Sequence, residues 1–212
     1  MQTLNIPLGR STFTGILWTR NGKKVWTTDT RGFLRSAILK ADGIFSWSDE
    51  ILLPSRKFTN GKFAWQDKVL YKKMQNDDRA YCGGFAIDEK RSLIYVTLNR
   101  DNAIGVVSMK TMKFISHINV GIAPYTIVIN GNKAYVTNWG GRFPVKGDKT
   151  ALSSGTPVIV DSMSGVASSG SVSVIDLQTR KVKKQIKVHL HPQLWYFILI
   201  VQNYMLLMQT VI

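Results

Sequence analysis

Three histidines, one cysteine and a glycine-rich stretch are the residues of this chain whose types and spacing invite chemistry. "GGRFPVKGDKT", from Gly140, has the outline of a phosphate-binding loop, but that loop requires Gly-Lys-Ser/Thr in succession, and Asp148 separates Gly147 from Lys149. A serine nucleophile elbow requires Gly-x-Ser-x-Gly, and "SSGTPV" at Ser153 has the wrong spacing. His189 and His191 stand two apart, which on a strand puts both on one face, the arrangement of a metal pair. No third ligand accompanies them, and the other reading makes His191-Pro192 a corner between repeat units, in the place that Ala123-Pro124 holds one unit earlier. His117 falls near a strand end. Cys82 is alone, which excludes a disulfide framework and a cysteine metal quartet. No catalytic residue, metal centre or cofactor is expected from these patterns.

Binding chemistry is the alternative. Asn138, Trp139 and Arg142 offer an amide, an aromatic platform and a cation at the entrance of a long polar stretch, Gly141–Ser169. Asn99 occupies the corresponding corner of the preceding unit. The same residues have a structural reading, in which Trp139 packs between sheets and the asparagines build turns.

The elements that hold these residues repeat. "LIYVTLNRDNAIGVVSMKTMKFISHINVGIAP" (Leu93–Pro124) is matched by "KAYVTNWGG" from Lys133 and "GSVSVIDLQTRKVKKQIKVHLHP" from Gly170, with Tyr95 and Tyr135 forty positions apart. "TGILWTRNGKKVWTTD" opens an earlier unit, with Asn21-Gly22 as its turn and Trp26 in the tyrosine position. Four short strands recurring at about 40–50 residues, rich in β-branched and aromatic types and punctuated by Asn, Asp and Gly, make a β-propeller blade. The expected class is all-β: a propeller fragment of about three four-stranded blades, not closed, since a closed ring takes roughly 4–8. The expected limits are 10–79, 80–124 and 125–192, with an inserted loop at 141–169. The first blade is irregular between Ile44 and Arg79. Val96, Ile104, Val106, Val136, Val172 and Val174 are the residues expected between sheets.

"YVTN" followed by "SVSVIDLQTRKV" and "VHLHP" resembles the YVTN-type β-propeller repeat proteins of bacteria over roughly residues 10 to 192. The inserted stretch "GRFPVKGDKTALSSGTPVIVDSMSGVASS" is similar to propellers that precede an alkaline-phosphatase-like phosphoesterase domain. That resemblance implies a non-catalytic module for a ligand or protein partner, within a larger hydrolase that is periplasmic or secreted. A lactonase-like propeller hydrolase is the alternative, although such enzymes need several inward carboxylates and no convincing set is present.

Residues 193–212 depart from this grammar: "QLWYFILIVQNYMLLMQTVI" carries no Lys, Arg, Asp or Glu. As a membrane anchor it is barely long enough and is interrupted by Gln193, Gln202, Asn203 and Gln209. Read in the neighbouring frame, the same codons permit "HPSAMVFYPDSxKLYVANANSD", a blade opening with the missing "YVAN" strand. The expectation is that 193–212 is out-of-frame translation, and that a membrane partner follows only if the tail is genuine.

The chain holds 28 Lys+Arg against 13 Asp+Glu, a formal charge of +15. Such a balance favours acidic partners or surfaces. The cations lie in short turn-like clusters such as "RNGKK", "DEKRS" and "RKVKK" rather than on one helix or stripe interleaved with aromatics, which argues against a nucleic-acid partner. "MQTLNIPLGR" lacks a basic segment followed by an apolar run, so no signal peptide is read at the start.

Overall fold

The computed structural model describes residues 15–30, 32–55, 80–188, 194–200 and 203–209. Within them, three four-stranded antiparallel sheets follow one another along the chain. The first runs in the order β1 (Ile16–Trp18), β2 (Lys24–Thr28), β3 (Phe33–Leu39), β4 (Phe45–Leu52). The second is β5 (Cys82–Asp88), β6 (Leu93–Leu98), β7 (Ala103–Ser108), β8 (Lys113–Asn119). In the third, β9 (Ile122–Asn130) and β10 (Lys133–Gly140) are followed by an inserted hairpin, β11 (Thr150–Ser153) and β12 (Thr156–Ile159), before β13 (Gly170–Asp176) and β14 (Lys181–Val188) complete the sheet. The chain is therefore all-β, a propeller segment of three blades that do not close into a ring.

The middle strands of the blades are largely buried on both faces, their few polar residues included. β6, "LIYVTL", is buried from end to end. Ile94, Val96 and Leu98 point to the first blade and join Trp26, Leu34 and Phe85. Leu93 and Tyr95 point the other way and join Ile127, Ala134, Val136 and Ile175 of the third. The period-two alternation of a strand thus divides one run of six residues between two cores. Trp26 and Tyr95, at the same place in their blades, are both sealed from solvent.

Val96, Ile104, Val106, Val136 and Val172 are fully buried. Val174 corrects the expectation: it is half-buried. It pairs with Tyr135 on the face of the third sheet turned away from the second. No other four-stranded sheet among the described residues packs there. Ala123-Pro124 differs too. Instead of turning between units, it lies inside β9, where the register shifts opposite Thr137/Asn138 and Ala123 takes φ 53°. The inner strand of the third blade accordingly begins at Ile122.

Inner strands of neighbouring blades meet closely. A Cβ on Gly83 would stand 2.5 Å from Thr97 Oγ1 and 2.7 Å from the Tyr125 carbonyl oxygen, so the position accepts no side chain. A threonine keys each junction. Thr28 Oγ1 donates to Gly83 O at 2.9 Å, and Thr97 Oγ1 lies between Gly84 O of its own blade, at 3.0 Å, and Tyr125 O, the matching carbonyl of the next blade, at 3.1 Å. The Thr of the repeated Tyr-Val-Thr strand is therefore an inter-blade latch.

The meander puts the β1–β2, β3–β4, β5–β6, β7–β8, β9–β10 and β13–β14 turns at one end of the blades, here the turn face. The remaining connections, including Gly141–Ser169, form the corner face. β15 (Leu194–Ile200) and β16 (Asn203–Gln209) make a separate two-stranded antiparallel hairpin, in register from Leu194↔Gln209 to Ile200↔Asn203. His189, His191 and Pro192, and the whole span 56–79, lie outside the described residues.

Candidate functional site

The corner face is built on asparagines. After β6 the chain makes a 3-10 turn, Asn99–Asp101, and leaves it through Asn102 in the left-handed region at φ 52°. Asn102 Oδ1 accepts the Ala123 N–H at 2.9 Å, and its carbonyl accepts the Val120 N–H at 3.0 Å, fixing the passage from the second blade to the third. Ser55 Oγ donates to Asp101 Oδ1 at 2.8 Å, which ties the exit of the first blade to the same corner.

The insertion is an ordered hairpin seated on that corner. Its turn, Ser154-Gly155, has positive φ at both residues, 49° and 91°, matching the twist of the flanking strands. Asn99 donates from Nδ2 to Ser153 Oγ at 3.3 Å, and its carbonyl accepts Thr156 Oγ1 at 3.0 Å. Arg100 Nε donates to Ser154 O at 2.7 Å. Behind these polar ties, Val158, Val160 and Ala167 pack on Ile122, Ala123 and Trp139.

The four residues singled out in the sequence occupy different settings. Asn99 is buried under the hairpin. Asn138 is fully buried too, with Nδ2 3.0 Å from Ser173 Oγ and 3.3 Å from Ser171 O, facing the β8–β9 connection. The two are not equivalent: Thr97 and Thr137 correspond, so Asn138 matches Leu98 and Asn99 lies one residue further on. Trp139 is half-buried and stacks on Tyr125, with ring centroids 4.4 Å apart and planes at 23°. Arg142 is exposed and grips Asp148 with two hydrogen bonds, Nη1–Oδ2 2.6 Å and Nη2–Oδ1 2.8 Å. Those bonds, followed by the Val145 N–H at 2.7 Å, pull the Asp148 carboxyl down to about 2.

A cleft of about 230 Å³ opens at the root of the insertion. Arg142, Ser168, Ser169 and Lys187 line it, between the backbones of Gly141 and Gly170. Val188 completes the rim, and the surface of the cleft is mostly apolar, with the two cationic and two hydroxylated residues at its border. Lys187 and the serines had no sequence signal. Lys187 belongs to the run "KVKKQIKV", which reads as a solvated outer strand, and the serines to a low-complexity stretch.

Other reactive types are committed elsewhere. Burial pushes the Cys82 thiol well up, with Asp29 and Asp101 adding to it, so this sulfur is no thiolate nucleophile. His117 Nε2 is 3.0 Å from Pro54 O, at the outer side of the second blade. Gly147 and Asp148 belong to a turn closed by Asp148 N–Val145 O, not to a phosphate loop. Among the described residues, no three His, Cys, Asp or Glu side chains gather as metal ligands, and no helix is long and apolar enough to cross a membrane.

No protein-family model matches the chain, and no curated protein does. Among solved structures it is similar to apo AztD from Citrobacter koseri, at 15% identity over 91% of this chain and 40% of that one, with a TM-score of 0.49. It is similar also to the periplasmic gluconolactonase PpgL of Pseudomonas aeruginosa, at 13% identity over 84% of this chain and 39% of that one, TM-score 0.49. Hydrazine synthase of Kuenenia stuttgartiensis aligns at 14% identity over 89% of this chain and 53% of that one, TM-score 0.46. The chain spans between two-fifths and about half of these structures. What places it among propeller architectures is its own geometry: three blades, side by side, with inner strands in contact.

Proposed function

We propose that this chain is a non-catalytic propeller module that binds an anionic small molecule, or an acidic group of a partner, on its corner face. The cleft beneath the insertion carries the proposal. Lys187 supplies the uncompensated charge, Ser168 and Ser169 the hydrogen bonds, and Arg142, whose charge Asp148 neutralises, its remaining N–H donors. Of the four residues chosen from the sequence, Arg142 contacts the ligand, and Trp139, stacked on Tyr125, braces the wall that leads to it. Asn99 and Asn138 support that wall from beneath. The YVTN-type resemblance adds the wider reading: a piece of a larger bacterial protein, periplasmic or secreted, with a phosphoesterase domain.

Titration calorimetry with inorganic phosphate tests the cleft. Binding to the wild-type chain that is lost in Lys187→Ala supports it; equal heats from both chains refute it. The same protein is expected to hydrolyse neither p-nitrophenyl phosphate nor a lactone above background. Turnover abolished by Asp148→Asn would establish the hydrolase reading instead.

A further inference from the structure

The turn face differs from the corner face in charge. Six short turns of two to five residues end the strand pairs there, and each carries an exposed cation at or beside its tip: Arg20, Lys40, Lys90, Lys110, Lys133 and Arg180. The turns of adjacent blades touch. The Arg20 N–H donates to Glu89 Oε1 at 2.6 Å, and Arg91 reaches across to Asn132 Oδ1. The cations therefore form one continuous field over three blades.

The acids of this face are engaged within it, and Glu89 stands 3.9 Å from the Arg20 guanidinium. Asp42 accepts the Ile44 N–H, Asp176 accepts those of Gln178 and Thr179, and Asp88 pairs with Arg91 at 2.7 Å. Lys40, Lys90, Lys110 and Lys133 make no ion pair among the described residues. On the corner face, by contrast, Arg142 is matched to Asp148, and Arg100 and Lys149 donate to carbonyl oxygens of the insertion.

We propose that the turn face is a docking surface for anionic phospholipid headgroups, by which the module lies on a membrane without entering it. Several features favour a lipid surface over nucleic acid. The field is spread over three blades rather than focused in a groove; the six turns themselves hold no aromatic residue, and Trp18, beside the first, packs edge-on against Phe45. Four of the six tip cations are lysines, point charges suited to a diffuse anionic plane rather than to bidentate base recognition. No turn exceeds five residues, so none projects and all the tips can meet one plane. The proposal is independent of the corner-face ligand, and docking would leave that cleft facing solvent.

The test is co-sedimentation of the full chain with vesicles of phosphatidylcholine alone, or of phosphatidylcholine mixed with anionic phosphatidylglycerol. The expected result is binding to the mixed vesicles only, weakened by salt. The triple variant Lys90→Glu/Lys110→Glu/Lys133→Glu should lower it by at least about tenfold, each lysine near the surface counting separately. Lys146→Glu/Lys149→Glu/Lys184→Glu, with the same change in net charge but away from the turns, should stay within about twofold. Circular dichroism of each variant checks folding, and neutral Lys→Gln versions of the first set supply an intermediate loss if a triple reversal fails to fold. Equal binding to pure phosphatidylcholine would overturn the proposal, as would equal losses from the two variant sets. Preferential binding of duplex or single-stranded DNA over the mixed vesicles would also overturn it.

Discussion

The corner face and the turn face are the two ends of the same twelve blade strands, yet they are built on opposite rules. Corners carry the inserted hairpin and polar side chains spent within the fold: Asn102 on the Ala123 N–H, Asn99 on Ser153, Ser55 on Asp101. Turns are short, close on themselves, and leave their cations in water. Substitution should accordingly cost stability at the corners and charge-dependent association at the turns.

Glycine provides the largest contrast. A Cβ on Gly121 would stand 2.6 Å from Asn138 Cγ and 2.8 Å from Ser171 Oγ, so Gly121→Ala should destabilise by about 3 kcal/mol in urea unfolding. Gly131, in the β9–β10 turn, has nothing within 4 Å but a φ of +59°, and Gly131→Ala should cost only about 1 kcal/mol. Equal costs would erase the distinction between the faces. Asn102→Ala comes next, at about 2 kcal/mol, since it loses the bond to Ala123 and must hold a left-handed backbone without its local side chain. Thr97→Val, which removes one inter-blade latch from a site of full burial, should cost about 1 kcal/mol.

Acid distinguishes the faces more gently. The Asp148 carboxyl is lowered from 3.8 to about 2, so its contribution is full above pH 4 and is lost as pH falls through about 2. The Arg142–Asp148 grip should therefore survive mild acid, with binding to the cleft of sulfate, a dianion throughout this range, little changed between pH 7 and pH 5. A binding loss in that interval would assign the titration to another group. Lys110→Ala should be the least costly change, within about 0.5 kcal/mol, while still weakening vesicle association.

The blades were legible in the sequence because strand alternation and turn chemistry are local. Tyr95 and Tyr135 announce their repeat, and Asn21-Gly22 its hairpin, without reference to any other part of the chain. Side-chain commitments were less legible, because they depend on what a corner meets across the fold. Asn99 and Asn138 look alike in sequence, yet one anchors an insertion and the other lies one register step earlier, against Gly121. Val174 shares the alternation and the face of Val172, yet only Val172 is fully buried. The cleft was invisible for a related reason: Ser168 and Lys187 are brought together by a strand pair, not by spacing.

The threonine latch has a consequence for descent. Thr28 meets the inner strand of the following blade, and Thr97 meets that of the blade after, so the donor belongs to the earlier unit and the acceptor to the later one. A head-to-tail joint of this kind is heterologous, and the same joint can be made any number of times with unaltered parts. A stretch of DNA encoding one blade, copied in tandem, would yield a protein whose new sheet arrives already carrying both halves of the fitting. Gene duplication could lengthen such a chain before any mutation had to improve the seam.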